Sequence, residues 1–179
     1  DVYKDERVIE ASITKAEGGN FENLVVDANP ASTTVRDTID DVTVKLSATD
    51  AITEAGGEVV YTATLSHAAQ GAVTVTLSNG KTITIADGQT VGSETVTVGA
   101  EDDVYKDERV IDVSITKAEG GNFENLVVDT TPASTTVRDT IDDVTVKLSA
   151  TDTITEAGGD VVYTATLSHA AQGAVTVTL

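Results

Sequence analysis

The chain has 179 residues with 30 acidic against 11 basic side chains, a formal charge of −19. That balance excludes the basic patches that select nucleic acid or anionic membrane surfaces, and it suits hard cations, which take carboxylate oxygens. There is no Cys, Met or Trp and only 3% aromatic residues, so the core is built from Val, Ile, Leu and Ala, and disulfide frameworks and thiolate metal sites are excluded.

Residue 1 aligns with residue 103, and 1–77 with 103–179 without a gap. Only six pairs differ: Glu10/Asp112, Ala11/Val113, Ala28/Thr130, Asn29/Thr131, Ala51/Thr153 and Glu58/Asp160. An offset of 102 is too long for a solenoid unit and suits a domain with its own core. An acidic stretch free of Gly and Pro occurs twice, at 36–44 and 138–146, and marks the junctions. The expected division is therefore 1–40, the C-terminal part of a preceding immunoglobulin-like repeat; 41–142, one complete repeat; and 143–179, the N-terminal part of a following one. Neighbouring chains are expected to complete the partial repeats, unless these are slices of a longer array.

Within 41–142, apolar and polar residues alternate as half-buried strands require. Val42, Val44 and Leu46 form the first run. Tyr61, Ala63 and Leu65 follow, then Val73, Val75 and Leu77, then Ile83 and Ile85, then Val96 and Val98. Ile111, Val113 and Ile115 make the sixth, and Ser134–Thr140, with Val137 inward, the seventh. Threonines fill the intervening outward positions, as β-branched polar residues do. Asn79-Gly80 predicts a two-residue type I′ hairpin. The result is an all-β fold, an immunoglobulin-like β-sandwich of about seven antiparallel strands in tandem array.

With strands alternating up and down, three acidic segments meet at the exit pole. The loop after the first strand carries Asp50 and Glu54. The loop after the fifth carries Glu101, Asp102, Asp103 and Asp107. The exit carries Asp139, Asp142 and Asp143, matched in the first copy by Asp37, Asp40 and Asp41. So many carboxylates repel unless neutralised. Ca²⁺ fits, because it takes six to eight oxygens in flexible geometry, whereas Mg²⁺ demands tight octahedra and Zn²⁺ wants nitrogen or sulfur. The opposing reading is a set of solvated charge runs.

The pattern resembles the immunoglobulin-like extender repeats of giant bacterial adhesins of the RTX and large-adhesion-protein type, which type I secretion exports. The likeness rests on Val-Thr-Val-Lys-Leu-Ser-Ala-Thr-Asp (42–50), Ile-Thr-Glu-Ala-Gly-Gly (52–57), Tyr-Thr-Ala-Thr-Leu-Ser (61–66), Val-Thr-Val-Thr-Leu-Ser-Asn-Gly (73–80), Gly-Gly-Asn-Phe-Glu-Asn-Leu (120–126) and Asp-Thr-Ile-Asp (139–142). A looser similarity to the Calx-beta pattern implies calcium ligands at Glu54, Asp102, Asp103, Asp107 and Asp142. The resemblance implies a cell-surface spacer that projects a distal adhesive tip for adhesion and biofilm formation, with adjacent repeats of the same chain as partners. No nucleic acid and no direct membrane insertion are expected.

Two other classes compete. A ligand- or glycan-binding repeat would need aromatic platforms, and Tyr61, Tyr105 and Phe123 are the only aromatics of the complete repeat. Homotypic association through edge strands is opposed by the charge. Enzymatic activity is not expected, since the histidines, His67 and His169, are one repeated position next to a serine at a strand end.

Overall fold

A computed structural model describes residues 1–179. It contains fourteen strands and no helix, hence none long and apolar enough to cross a membrane. The strands are β1 (Arg7–Ala11), β2 (Ala31–Val35), β3 (Asp41–Ser47), β4 (Ala51–Thr53), β5 (Gly57–Leu65), β6 (Val73–Leu77) and β7 (Thr82–Ile85). They continue with β8 (Val91–Val98), β9 (Arg109–Val113), β10 (Ile115–Gly120), β11 (Asn125–Val128), β12 (Ala133–Arg138), β13 (Val146–Ala150) and β14 (Tyr163–Leu167). They belong to two compact units, each assembled from separate stretches of chain.

The first unit comprises Asp1–Ala48, Val60–Val96 and Asp112–Ser134. It holds a four-stranded sheet in the order β11-β3-β5-β8, a three-stranded sheet in the order β10-β6-β7, and the pair β1-β2. Both larger sheets bury one face. Val42, Val44, Tyr61, Ala63 and Leu65 line one, and Val73, Val75, Leu77, Ile83 and Ile85 line the other, all 3% exposed or less. Burying each of the Val, Leu and Ile side chains contributes roughly 1.5–3 kcal/mol, and two apolar sheet faces buried in this way are the packing of a β-sandwich.

The second unit comprises Thr49–Val59, Thr97–Ile111 and Thr135–Leu179. Its sheet has the order β4-β12-β9, and β13 pairs with β14 beside it in sequence. Val137 is buried, as the alternation predicts, but so is Thr135, which the rule of outward threonines misplaces. Its hydroxyl donates to Thr49 O (2.7 Å), which removes the cost of burying it.

Simple up-and-down alternation fails at two places. β11 runs parallel to β3, and β12 runs parallel to β4. The alternation also hides three short strands. β4 and β11 carry no long apolar run, and β10 carries Lys117 and Glu119. The sixth predicted run is in fact β9 and β10, broken at Ser114, with a register shift between Ile115 and Lys117.

The β6–β7 hairpin forms where Asn79-Gly80 predicts one, but with a different turn. Asn79 keeps a negative φ and only Gly80 is left-handed (φ 80°). Gly80 N donates to Leu77 O (3.0 Å), and Leu77 N donates to Lys81 O (2.9 Å). This is the three-residue loop of a type I turn closed by a glycine bulge, and Asn79 Oδ1 accepts from Lys81 N (3.1 Å).

β13 and β14 repeat the sequence and register of β3 and β5: Leu148 faces Ala165 as Leu46 faces Ala63. Yet Tyr61 is 2% exposed and its copy Tyr163 58%. Local sequence therefore sets the pairing, and an opposing sheet supplies the burial.

Candidate metal centre

The centre lies within the second unit and is built on the backbone of Glu54. Glu54 N donates to Arg138 O (2.9 Å), and Glu101 N donates to Glu54 O (2.8 Å). One residue is thereby held between the end of β12 and the segment after β8. The tight return at 53–56 needs Gly56, whose φ is 89° and where a Cβ would lie 2.9 Å from Val98 O.

The Glu54 side chain is 4% exposed. Its Oε1 accepts from both Thr140 N and Thr140 Oγ1, each at 2.8 Å. These two bonds hold its carboxyl below the usual range, against the opposing effect of burial. Its Oε2 is buried and has no hydrogen-bond partner, and Asp139 Oδ1 is orphaned in the same way.

Further carboxylates gather around Glu54. Glu54, Asp107 and Asp139 bring one oxygen each within 4.8 Å of one another, and Glu54, Asp102 and Asp142 do the same. Glu54 belongs to both groups. Glu54, Glu101, Asp107, Arg109, Val137 and Asp139 line a cavity of about 40 Å³, more than the ~10–15 Å³ one water-sized guest requires. Burial raises the carboxyls of Asp107 and Asp139 first, and the surrounding negative charges raise them further: Asp103 and Glu54 for Asp107, Glu54 and Asp107 for Asp139.

Thr140 adds a second frustration. Its hydroxyl oxygen lies 2.8 Å from Glu54 Oε1, 2.6 Å from Asp102 Oδ1 and 3.5 Å from Asp142 Oδ2. A hydroxyl has one proton and serves one acceptor at a time. A divalent cation would satisfy the leftover lone pairs and the mutual repulsion together. The donor set is all oxygen, which suits Ca²⁺ and gives zinc no nitrogen or sulfur.

The other expected ligands are placed differently. Glu101 forms an ion pair with Arg109 (2.6 Å) at the cavity wall. Asp103 Oδ1 accepts from Tyr105 N (2.7 Å), and with Asp143 it lines a wider cleft that also includes Asp102, Tyr105, Asp142 and His169. Asp37, Asp40 and Asp41 join neither group. In the first unit, Asp37 Oδ2 accepts from Asp5 N (3.2 Å), Asp40 N donates to Glu124 Oε2 (2.5 Å), and Asp41 Oδ1 accepts from Asn125 Nδ2 (2.7 Å). Thr140 and Glu124 are the residues that the pattern of acidic clusters misses. Glu124 was legible only as one glutamate in a glycine-rich loop, yet its Oε1 is buried without a partner and burial raises its carboxyl.

All-β repeats with acidic groups able to hold a metal define a class of tandem β-domain module. The LapA domain family matches residues 1–38, 40–140 and 142–179, and the chain belongs to that family. Membership associates it with bacterial adhesins of cell adhesion and biofilm formation, and with the cell surface. No curated protein and no solved structure matches the chain.

Proposed function

We propose that the chain is a calcium-stiffened extender segment of a bacterial surface adhesin, a spacer that carries a distal adhesive tip away from the cell. The observation that carries this reading is Glu54: buried, with Oε2 unpartnered, and shared by two groups of carboxylates drawn from three separate stretches of chain. An ion there ties together the turn after β4, the segment after β8 and the exit from β12. The junction beyond, 138–146, has no Gly or Pro and so lacks the composition of a flexible linker.

Without the ion, repulsion among the carboxylates favours an open chain, suited to type I export. Outside the cell, calcium binding to the folded state stabilises it by mass action. The test is a thermal melt of the chain in chelator, in millimolar calcium and in millimolar magnesium. A large rise with calcium and a small one with magnesium is expected. Coincident melts in all three would sink the proposal.

A further inference from the structure

In the first unit, residues 2–4 pair with residues 122–124. Glu124 N donates to Val2 O (3.0 Å) and Lys4 N to Asn122 O (3.2 Å), with Tyr3 opposite Phe123 in an antiparallel bridge. This makes Tyr3 and Phe123 a non-hydrogen-bonded pair, the kind whose side chains approach most closely. Their rings stack with centroids 5.9 Å apart and planes at 22°. Tyr3 OH donates onward to Ala68 O (2.8 Å). Phe123, beneath, is 5% exposed.

The receiving loop is shaped for this contact. Gly120 and Gly121 have φ of 105° and 78°. A Cβ on Gly120 would lie 2.2 Å from Ala72 O, and one on Gly121 2.4 Å from the Phe123 ring. Gln70 N donates to Gly121 O (3.1 Å) and Asn122 Nδ2 to Gln70 Oε1 (3.0 Å), which fixes the loop to the one carrying Ala68.

The separations in sequence decide what this contact is. Val2–Glu124, Tyr3–Phe123 and Lys4–Asn122 are all farther apart than the repeat offset of 102. Two residues more than one period apart lie in different repeats wherever the boundary is drawn. The second copy reproduces the part of the contact that the chain contains: within the second unit, Tyr105 OH donates to Ala170 O (2.6 Å), as Tyr3 OH does to Ala68 O.

We propose that Tyr3 and Tyr105 are the plugs of a clasp joining consecutive repeats, received by the Gly-Gly-Asn-Phe and His-Ala-Ala-Gln loops of the next copy. The partner recognised is another copy of the same repeat. The proposal rests on the tandem-spacer reading but not on its cation, because the stacked rings, the Ala68 carbonyl and the paired backbone require no ion. The clasp sets repeat register before any metal binds. It also gives Phe123 a partner.

The absence of cysteine makes the test clean. Facing residues of a non-hydrogen-bonded pair have Cα atoms about 4.5 Å apart, within the span a disulfide bridges. Tyr3→Cys/Phe123→Cys should therefore close an intramolecular disulfide under mild oxidation, in chelator and in calcium alike, read as a reductant-reversible mobility shift. Tyr3→Cys/Ser93→Cys, with Ser93 on β8 at the opposite edge of the β11-β3-β5-β8 sheet, should not close. No disulfide in either condition would overturn the clasp, and closure only in calcium would overturn its independence of the ion. A second arm tests the ring itself: in Tyr3→Ala, hydrogen exchange at Glu124 N should rise at least ~tenfold while Val75 and Ile83 stay protected. Unchanged exchange at Glu124 would refute the role of Tyr3. A calcium-insensitive melt with an intact disulfide would sink the cation reading alone.

Discussion

Asp139→Asn separates the charge of the candidate centre from its coordination, because the two conditions of measurement give opposite signs. Asp139 Oδ1 is buried and unpartnered, and its carboxyl is raised by burial and then by the charges of Glu54 and Asp107. In chelator at neutral pH the folded state holds that charge at a cost. The amide removes the charge and offers N–H donors to neighbouring carboxylates, so the variant should melt above the parent. In calcium the same change deletes a ligand from the Glu54–Asp107–Asp139 group and leaves the Glu54–Asp102–Asp142 group whole. One ion at a hundred-fold excess over its dissociation constant stabilises by about 2.7 kcal/mol. For a chain of 179 residues, each kcal/mol moves Tm by about 2–4 °C, so the variant should lose about 5–11 °C of the calcium-induced rise. Calorimetric melts of both proteins in both conditions measure this. A variant that keeps the full calcium increment, or that melts below the parent in chelator, would refute the reasoning.

The pH dependence without metal should have an unusual sign. Asp107, Asp139 and Glu124 all have raised carboxyls, chiefly through burial. A raised carboxyl contributes stability that is complete below its unfolded pKa and lost as pH rises through its folded one, so Tm in chelator should fall as pH rises through and just above the ordinary carboxylate range. Glu54 is lowered and acts in the opposite sense, its contribution disappearing only as pH falls through its folded value. Calcium competes with protons and should reverse the slope; a chelator profile that climbs with pH would contradict the assignment. Separately, Gly120→Ala combines a left-handed φ with a Cβ 2.2 Å from Ala72 O, whereas its copy Gly18 has φ 94° and nothing within 4 Å. Backbone strain alone is about 1–3 kcal/mol, or roughly 2–12 °C in Tm, and Gly120→Ala should exceed Gly18→Ala. Equal melts would remove the close approach at the clasp loop.

The core strands were legible because their signal is local. Val42, Val44, Tyr61, Ala63, Leu65, Val73, Val75, Leu77, Ile83 and Ile85 alternate with polar residues, and all are buried. β4, β11 and the part of β10 beyond Ile115 were not, because a three-residue strand, a strand held by a parallel partner and a charged strand owe their form to distant pairing. The meeting of Glu54 with Asp102, Asp107, Asp139 and Asp142 was anticipated from an up-and-down order that the parallel β12–β4 pair does not follow. It holds because that parallel register lays the end of β12 beside Thr53, next to Glu54. The Tyr3–Phe123 contact could not be read from either residue's neighbourhood, since its two halves lie in different copies.

The near-identity of the copies bears on how such a chain folds. β3 and β13 share their residues from Val44 and Val146 onward, as β5 and β14 share Tyr-Thr-Ala-Thr-Leu, and the registers coincide. During folding, either copy of one strand is an equally good partner for either copy of the other, and the wrong choice exchanges elements between neighbours. Pairing energy offers no discrimination; only the shorter loop closure within a copy does, and that preference grows slowly with length. A chain folding progressively from one end settles the choice by timing, because each strand meets its own partner before its duplicate is present.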